Sequence, residues 1–212
     1  MKKYFNWVLS GALSGVFLCV GCTVKIMAGG TIGALLFSLG LFAIITFGLG
    51  LYTGRAGYMA INPPSYIIEV LFTLIGNFVG SAIGGTLLRL TRFGESLTGS
   101  AAEIIDAKIA DGALSIIVLS IFCGMLMFTA VEGCKRLLER KNFTGALFIV
   151  VVPVMVFIIC GFNHSIADMG YFFISGCSSA AGAPLYFLLA ILGNAIGCMA
   201  LPFAEKLMRK GE

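Results

Sequence analysis

The chain of 212 residues is 59% hydrophobic and only 11% charged, with a formal net charge of +4. A soluble domain carries about a quarter charged residues, so this composition leaves too little polar surface for a globule in water. The few positive charges are also spread along the chain, which argues against a nucleic-acid-binding surface.

Long stretches without a charged residue divide the chain into segments of membrane-spanning length. They cover 4–24, 26–54, 70–88, 112–131, 142–167 and 169–204. Because a transmembrane helix needs about 20 apolar residues, we predict six spans, near 7–25, 31–53, 66–90, 112–134, 144–172 and 182–206. The first begins after two lysines, as a signal peptide would. Apolar sequence resumes directly after Lys25, however, so we interpret this segment as a span.

The distribution of basic residues favours one orientation in the membrane. With the N-terminus in the cytoplasm, most basic residues fall inside, which satisfies the positive-inside tendency and places both termini in the cytoplasm. The inner set is Lys2, Lys3, Arg55, Lys135, Arg136, Arg140, Lys141, Lys206, Arg209 and Lys210, and the outer set is Lys25, Arg89, Arg92 and Lys108.

Two of the predicted spans contain segments that do not suit a continuous helix. Span two ends in the glycine-rich sequence 48–57, and span five has polar residues at 161–168 within an apolar run. Irregular backbone at membrane depth is tolerated where it is buried in protein or lines a cavity. A pair of interrupted spans in corresponding positions is typical of a transport site. We therefore expect the functional site at these two interruptions.

The two halves of the chain share a sequence pattern. The motif G-N-x-x-G occurs at 76–80 in span three and again at 193–197 in span six. Small residues four positions apart allow two helices to approach closely, and the asparagine amide can form hydrogen bonds between helices. Gly48 and Gly161 also lie at nearly equal offsets in the two halves. Because each half has three spans, an odd number, the repeats must be inverted relative to the membrane.

Polar groups at membrane depth are the first candidates for chemistry. His164 is the only histidine, and an ionisable side chain inside a span is costly and indicates function. The alternative is a histidine that only joins helices by hydrogen bonds. Asp168 lies on the same face if the segment is helical, and could orient the imidazole or cap the break. Glu132 lies close to the basic residues 135–141 and is expected to pair there.

Two further candidates lie outside the apolar runs. Lys108 precedes span four at its outer end, where a lysine is commonly an interfacial anchor, and Asp106 could pair with it. Thr53 lies in the glycine-rich break, where a hydroxyl and free backbone N–H groups could bind an anion. The alternative for Thr53 is an ordinary loop residue.

The remaining apolar residues and the cysteines are expected to pack. Bulky side chains in spans usually face lipid or core, and only the fold can identify a constriction. The thiols lie in apolar runs with no histidine at zinc spacing, so no disulfide framework, metal site or cofactor is predicted.

Together these motifs resemble the formate/nitrite transporter family. The segment 161–169, G-F-N-H-S-I-A-D-M, is similar to that family's G-F-E-H-S-[VI]-A-N-M signature. Residues 37–41, F-S-L-G-L, resemble its second-span motif, and 51–54, L-Y-T-G, its L-F-T-[GS] loop. Asn77 and Asn194 match its third- and sixth-span asparagine motifs, and Pro153 stands eleven residues before His164, as the family pattern requires. The resemblance covers nearly the whole chain.

The resemblance implies an aquaporin-like homopentamer with a pore in each protomer. By position, His164 matches the central histidine that hydrogen-bonds or protonates the passing anion. Lys108 matches the lysine of the vestibule, and Thr53 the loop threonine that faces the histidine. Asn77 and Asn194 belong to the same substrate pathway. The hydrophobic constrictions on either side would be formed by Phe37, Leu41, Leu51 and Phe157.

The chain departs from the family pattern at three positions. Gly124 stands where many members carry an asparagine, Asn163 replaces the glutamate beside the histidine, and Asp168 replaces an asparagine. These departures leave the substrate open, and the small residue at 124 permits a small anion such as hydrosulfide.

We therefore predict an all-α membrane protein with one channel domain over 1–212. Its six transmembrane helices form two inverted three-helix repeats, about 7–92 and 108–206, with spans two and five interrupted. The expected function is passage of formate, nitrite or hydrosulfide, together with protons, across the cytoplasmic (inner) membrane.

Two other functional classes are considered. An aquaporin-like pore for small neutral solutes is the alternative, although the sequence lacks its paired N-P-A motifs. An enzyme is not expected, because nucleophile and metal motifs such as G-x-S-x-G and H-E-x-x-H are missing.

Overall fold

Helices account for most of residues 1–210, the part of the chain that the computed structural model describes, and this part contains no strand. Residues 211–212 of the predicted domain, and the side chain of Lys210 in the inner basic set, lie outside the described residues. The helices are α1 (Lys2–Ala28), α2 (Gly30–Thr46), α3 (Tyr52–Arg55), a 3-10 helix (Ala56–Ala60), α4 (Tyr66–Arg89), α5 (Gly94–Ile109), α6 (Ala113–Glu139), α7 (Phe143–Ile159), α8 (Ser165–Ile174) and α9 (Ala183–Lys210).

Four helices of the described chain are long and apolar enough to cross a membrane, namely α1, α4, α6 and α9. The helices α2, α7 and α8 are equally apolar in character but shorter. They are shorter because the chain breaks inside the apolar runs that contain them. The prediction that the second and fifth runs are interrupted is thus confirmed, and the apolar helices indicate a multi-pass membrane protein.

Two helix pairs cross at very short distance. The helix α1 packs most extensively on α4, and α6 on α9. A Cβ atom added to Gly80 would lie 1.9 Å from the Ala12 carbonyl oxygen, and one added to Gly197 would lie 1.9 Å from the Ile121 carbonyl oxygen. Only glycine fits at these positions, so the close approach predicted from the G-N-x-x-G motifs is confirmed in both halves.

One helix was not anticipated. The segment between spans three and four, for which no element was predicted, forms α5 and packs against α8. It buries Leu97, Ala101 and Ile105 completely. These residues recur every four positions, which is the spacing of one helix face. This helix positions Lys108 in its last turn.

The cysteines pack as predicted with two exceptions. Five are buried free thiols, whereas Cys160 and Cys177 are exposed. The expectation of a packing role is therefore wrong for these two.

Candidate functional site

The two interrupted helices end in the same way. At the ends of α2 and α7, Gly48 and Gly161 adopt positive φ angles of 62° and 69°. The N–H of each glycine bonds to the carbonyl three residues earlier, and the N–H of the next residue bonds to the carbonyl five residues earlier. This Schellman arrangement satisfies carbonyls at the helix end and requires a residue that tolerates positive φ. Local glycine chemistry thus produces both breaks.

A buried asparagine holds the chain that follows the first break. The side-chain oxygen of Asn77 on α4 accepts a hydrogen bond from the Tyr52 N–H at 2.8 Å, at the start of α3. Its amide nitrogen donates to the carbonyls of Gly50 and Gly11, each at 2.9 Å. The amide therefore ties the broken segment to α1 and α4.

Asn194 makes the equivalent set of contacts at the second break. Its side-chain oxygen accepts from the Ser165 N–H at 2.9 Å, at the start of α8, and its amide nitrogen donates to the carbonyls of Asn163 and Ser120, each at 2.8 Å. The two asparagines thus make the same three bonds. Each accepts from the first N–H of the short helix after the break (α3 or α8), and each donates to the carbonyl two residues before that N–H and to a carbonyl of a long neighbouring helix (α1 or α6).

The side chains of His164 and Thr53 meet between the two breaks. His164 is the N-cap of α8, and its Nδ1 accepts a hydrogen bond from the Ala167 N–H at 3.1 Å. Its Nε2 lies 3.1 Å from the Thr53 hydroxyl. The side chains of His164 and Thr53 are 1% and 0% exposed. The resemblance had implied that this threonine faces the histidine, and the geometry brings the two together.

The backbone around His164 determines which ring nitrogen carries the proton. Because Nδ1 accepts the Ala167 N–H, the proton of the neutral imidazole resides on Nε2. Nε2–H therefore donates to the oxygen of Thr53, which leaves the hydroxyl hydrogen of Thr53 free to donate elsewhere. A further proton on Nδ1 would break the cap of α8. The arrangement thus presents a neutral histidine.

Aromatic rings lie on one side of this pair. The Phe157 ring is 5.3 Å from the imidazole and packs edge-to-face on Phe37, with ring centroids 5.6 Å apart. Leu41 and Leu51 belong to the same buried cluster. None of these four predicted constriction residues is more than 3% exposed, so they face the protein interior and not lipid.

Beyond Phe157 lies a cavity of about 290 Å³, here called the Lys108 cavity. Its lining includes Lys25, Lys108, Phe157, Phe162 and Asp168. The Lys108 ammonium lies 2.7 Å from Oδ1 of Asp168 and donates to the Phe162 carbonyl at 3.1 Å. Phe157 thus stands between this charged cavity and the imidazole.

The carboxylate partners differ from those predicted. The sequence left two roles open for Asp168, orienting the imidazole or capping the break, but its side chain bonds Lys108 and Tyr186, the latter at 2.7 Å through Oδ2. Its backbone N–H donates to the His164 carbonyl at 2.9 Å. Asp106, the expected partner of Lys108, accepts a hydrogen bond from Ser178 instead. The pairing of Lys108 with Asp106 is therefore wrong, and the Asp168 carboxylate bonds Lys108 and Tyr186 in place of the imidazole, because helix packing brings together groups that are remote in sequence.

A second charged network lies in another part of the fold, where the 3-10 helix meets α6 and α9. Arg136 forms two hydrogen bonds with Glu205, at 2.6 and 2.8 Å, and one with Glu132 at 2.8 Å. Tyr58 donates to Glu132 at 2.6 Å, and Lys135 donates to the Tyr58 oxygen. The expectation that Glu132 pairs with the basic residues 135–141 is confirmed. No cluster of metal ligands occurs anywhere in the described chain.

Three residues near the His164–Thr53 pair and the Lys108 cavity were not predicted from the sequence. The Cys198 thiol donates to the carbonyl of Thr53 at 2.9 Å, and its place directly after the second G-N-x-x-G motif was the available signal. Ser165 Oγ is buried beside the histidine without a hydrogen-bond partner within the described residues. Tyr186 had no sequence signal, since eighteen residues separate it from the carboxylate that it contacts.

Comparison with known proteins now adds to the geometry. The sequence pattern of the formate/nitrite transporter family matches residues 2–204. The chain belongs to the formate/nitrite transporter family. The matched range contains both breaks, both asparagines and the His164–Thr53 pair.

Curated relatives in the family are named as channels and transporters. The chain is 26% identical over 150 residues to the formate channel FocA of Escherichia coli (strain K12), which covers 65% of this chain and 51% of the relative. It therefore spans about half the length of that formate channel. It is also 25% identical over 215 residues to the uncharacterized transporter YrhG of Bacillus subtilis (strain 168), covering 88% of this chain and 78% of the relative.

Two solved structures share the fold. A pentameric formate channel with formate bound superposes with a TM-score of 0.82 at 20% identity, covering 100% of this chain and 99% of that one. An FNT family ion channel superposes with a TM-score of 0.81, also at 20% identity, covering 98% and 90% of the two chains. These matches place the helical arrangement in the fold of formate/nitrite transporters.

The structure explains one departure from the family pattern. A Cβ atom on Gly124 would lie 2.3 Å from the Asn194 carbonyl oxygen, because α6 and α9 cross there. No larger side chain fits at this position, so Gly124 serves helix packing, and its small size carries no information about the substrate. Asn163, the second departure, donates to the Ile116 carbonyl at 3.4 Å.

Proposed function

We propose that this chain is a channel or transporter that passes the small monovalent anion of a weak acid, such as formate, nitrite or hydrosulfide, across the cytoplasmic (inner) membrane. The observation that carries the proposal is the buried His164–Thr53 pair at the meeting point of two interrupted helices. Phe157 separates this pair from a cavity that contains Lys108.

The chemistry of the pair suits an anion. A bare anion in an apolar constriction costs many kcal/mol, whereas a hydrogen-bonded anion or a neutral acid costs far less. Nε2–H of His164 and the hydroxyl of Thr53 are donors, and the N-terminus of α8 adds a partial positive charge beside them. Since Nδ1 is already an acceptor, we favour hydrogen bonding over protonation as the role of His164.

We propose a positioning role for the two asparagines assigned to the pathway. All hydrogen-bonding groups of the Asn77 and Asn194 amides are used to hold the two breaks. They therefore fix the place where His164 and Thr53 meet. Phe37, Phe157, Leu41 and Leu51 would act as the apolar constrictions on either side.

We further propose that the single domain contains six spans in two inverted repeats. The first repeat would be α1, α2 with α3, and α4, and the second α6, α7 with α8, and α9. The equivalent contacts of Asn77 and Asn194 and the equivalent crossings of α1 with α4 and α6 with α9 support this division. Similarity to a pentameric formate channel supports a homopentamer, and the basic residues favour cytoplasmic termini.

The direct test is flux into proteoliposomes. The purified protein is reconstituted, and uptake of formate, nitrite and hydrosulfide is measured chemically in the vesicles after rapid mixing at a pH above the pKa of each acid. An internal pH-sensitive dye reports any protons that enter with the anion. Light scattering in the same vesicles follows water and glycerol. We expect at least one anion to enter far faster than into empty liposomes, with glycerol unchanged. Fast glycerol or water entry without anion flux would instead establish the neutral-solute pore, and folded protein with neither flux would refute both.

The role of His164 is tested with two substitutions. In His164→Asn the new side chain can still accept the Ala167 N–H as an N-cap, but the Nε2 donor is lost. We expect the flux of the transported anion to fall about tenfold or more, as loss of one donor to a buried charge would predict. His164→Phe removes the cap as well and should lower stability by about a further 1 kcal/mol. Wild-type flux of every anion through His164→Asn would exclude a central role.

A further inference from the structure

Lys108 borders the cavity of the proposed path, and Asp168 forms an ion pair with it. We propose that Asp168 determines how strongly the Lys108 cavity attracts anions, because its carboxylate cancels the charge of the lysine. This inference rests on the proposed function and identifies a residue that sets the affinity at the entrance of the path.

The contacts of the pair show why the lysine is not a free cation. Lys108 Nζ lies 2.7 Å from Asp168 Oδ1, and its second contact is the Phe162 carbonyl at 3.1 Å. The side chain of Asp168 is 1% exposed, while that of Lys108 is 16% exposed. The ammonium therefore borders the cavity with its counter-charge fixed directly behind it. At such a separation an approaching anion experiences the pair largely as a dipole.

Tyr186 keeps the carboxylate in this position. Its hydroxyl donates to Oδ2 at 2.7 Å, which leaves Oδ1 directed at Lys108. Tyr186 is itself 1% exposed. It acts through Asp168 and is a positioning residue.

The charge balance of the cavity follows from its lining. The charged residues there are Lys25, Lys108 and Asp168, two positive and one negative, which gives a net charge of +1. Lys25 reaches the Gly30 carbonyl at 3.4 Å and has no carboxylate partner within residues 1–210. With Lys108 compensated, Lys25 supplies the remaining positive field.

The test is a series of variants that change this net charge. Asp168→Asn raises it to +2, retains an oxygen for Tyr186, and leaves Lys108 free to turn towards water in the cavity. Asp168→Asn combined with Lys108→Met returns it to +1 with no buried unpaired charge. Half-saturation concentrations are measured for the transported anion in proteoliposomes, with and without an impermeant salt.

We expect the half-saturation concentrations of the variants to follow the net charge of the Lys108 cavity. Asp168→Asn should lower the half-saturation concentration roughly tenfold and make it more sensitive to salt. The double variant should return close to the wild-type value. Asp106→Asn is the matched control, since it removes the same charge from the helix that carries Lys108 but lies outside the cavity lining. It should leave the half-saturation concentration unchanged.

Different results would refute the proposed function and the inference about Asp168. Wild-type protein without anion flux would refute the proposed function. Wild-type flux combined with an unchanged half-saturation concentration in folded Asp168→Asn, or a double variant that behaves like Asp168→Asn, would refute this inference alone. If Asp168→Asn does not fold, Lys25→Met provides the test, since it lowers the net charge of the cavity to zero. It should raise the half-saturation concentration roughly tenfold, and no change would overturn the inference.

Discussion

Thr53 is held from two sides at the centre of the molecule. The imidazole of His164 contacts its hydroxyl, and the thiol of Cys198 donates to its carbonyl. The side chain is therefore fixed, while its hydroxyl hydrogen is not committed to a partner within the described chain. A preorganised donor of this kind costs little when an anion arrives, because no protein group has to reorient.

Removing this hydroxyl should reduce transport without unfolding the protein. Thr53→Val keeps the shape of the side chain but leaves Nε2–H of His164 without an acceptor, which costs about 1–3 kcal/mol. We expect anion flux in proteoliposomes to fall about tenfold or more. Thr53→Ser retains the hydroxyl and is the matched control, with flux close to wild type. Equal flux through the valine and serine variants would show that the hydroxyl does not participate.

The predictability of individual contacts depends on their distance in sequence. The imidazole–threonine contact was anticipated because both residues lie in recognisable family motifs. The partner of Lys108 was not, since sixty residues separate it from Asp168 and no periodic pattern joins them. Asp106, two positions from the lysine, was the natural choice from sequence and was wrong, because its side chain points to Ser178.

At the scale of helices, the breaks were predictable and their anchoring was predictable only in part. A Schellman end needs a glycine, so Gly48 and Gly161 mark the breaks in the sequence itself. The asparagine motifs indicated bonds between helices, but which backbone groups they bond depends on the crossing of long helices. The helix α5 was missed because its charged residues hide the buried face formed by Leu97, Ala101 and Ile105.

The two asparagines should be among the most sensitive positions for stability. Asn77→Ala or Asn194→Ala removes three buried hydrogen bonds, and each backbone group left without a partner costs about 1–3 kcal/mol. We expect a clear fall in the thermal unfolding midpoint of either variant in detergent. Asn6→Ala on the exposed side of α1 is the control and should shift the midpoint very little. If the three variants unfold at the same temperature, the proposed anchoring role is wrong.

At the scale of the whole molecule, two networks of charged side chains lie in separate parts of the described fold. One surrounds the Lys108 cavity, and the other joins the 3-10 helix to α6 and α9 through Tyr58, Glu132, Arg136 and Glu205. The positive-inside tendency assigns the second network to the cytoplasm. The proposed orientation therefore predicts which segments lie outside the cell, and a natural cysteine allows this to be tested.

Cys177, which is exposed after α8, should react from outside the cell. In the proposed orientation the segment between α8 and α9 is external. A membrane-impermeant maleimide applied to intact cells should label the wild type and should label Cys177→Ser much less. Labelling of Cys177 only after the membrane is permeabilised would place this segment inside and reverse the proposed topology.

The mass of the proposed pentamer can be measured directly. The chain has a mass of 22.4 kDa, and native mass spectrometry of the detergent-solubilised protein should give a complex of five chains. A stable complex of any other stoichiometry would contradict the proposal, whatever the transport activity.

The edge-to-face contact of Phe37 and Phe157 bears on which anions the proposed path can admit. The two rings pack against each other beside the imidazole, and His164 is only 1% exposed. If Phe37 and Phe157 form the proposed constriction, an anion passes only when these rings move apart. Rotamer motions of side chains take picoseconds to nanoseconds when unhindered and longer in a packed interior. The space that the two rings can clear when they move would then limit the size of the anion that passes.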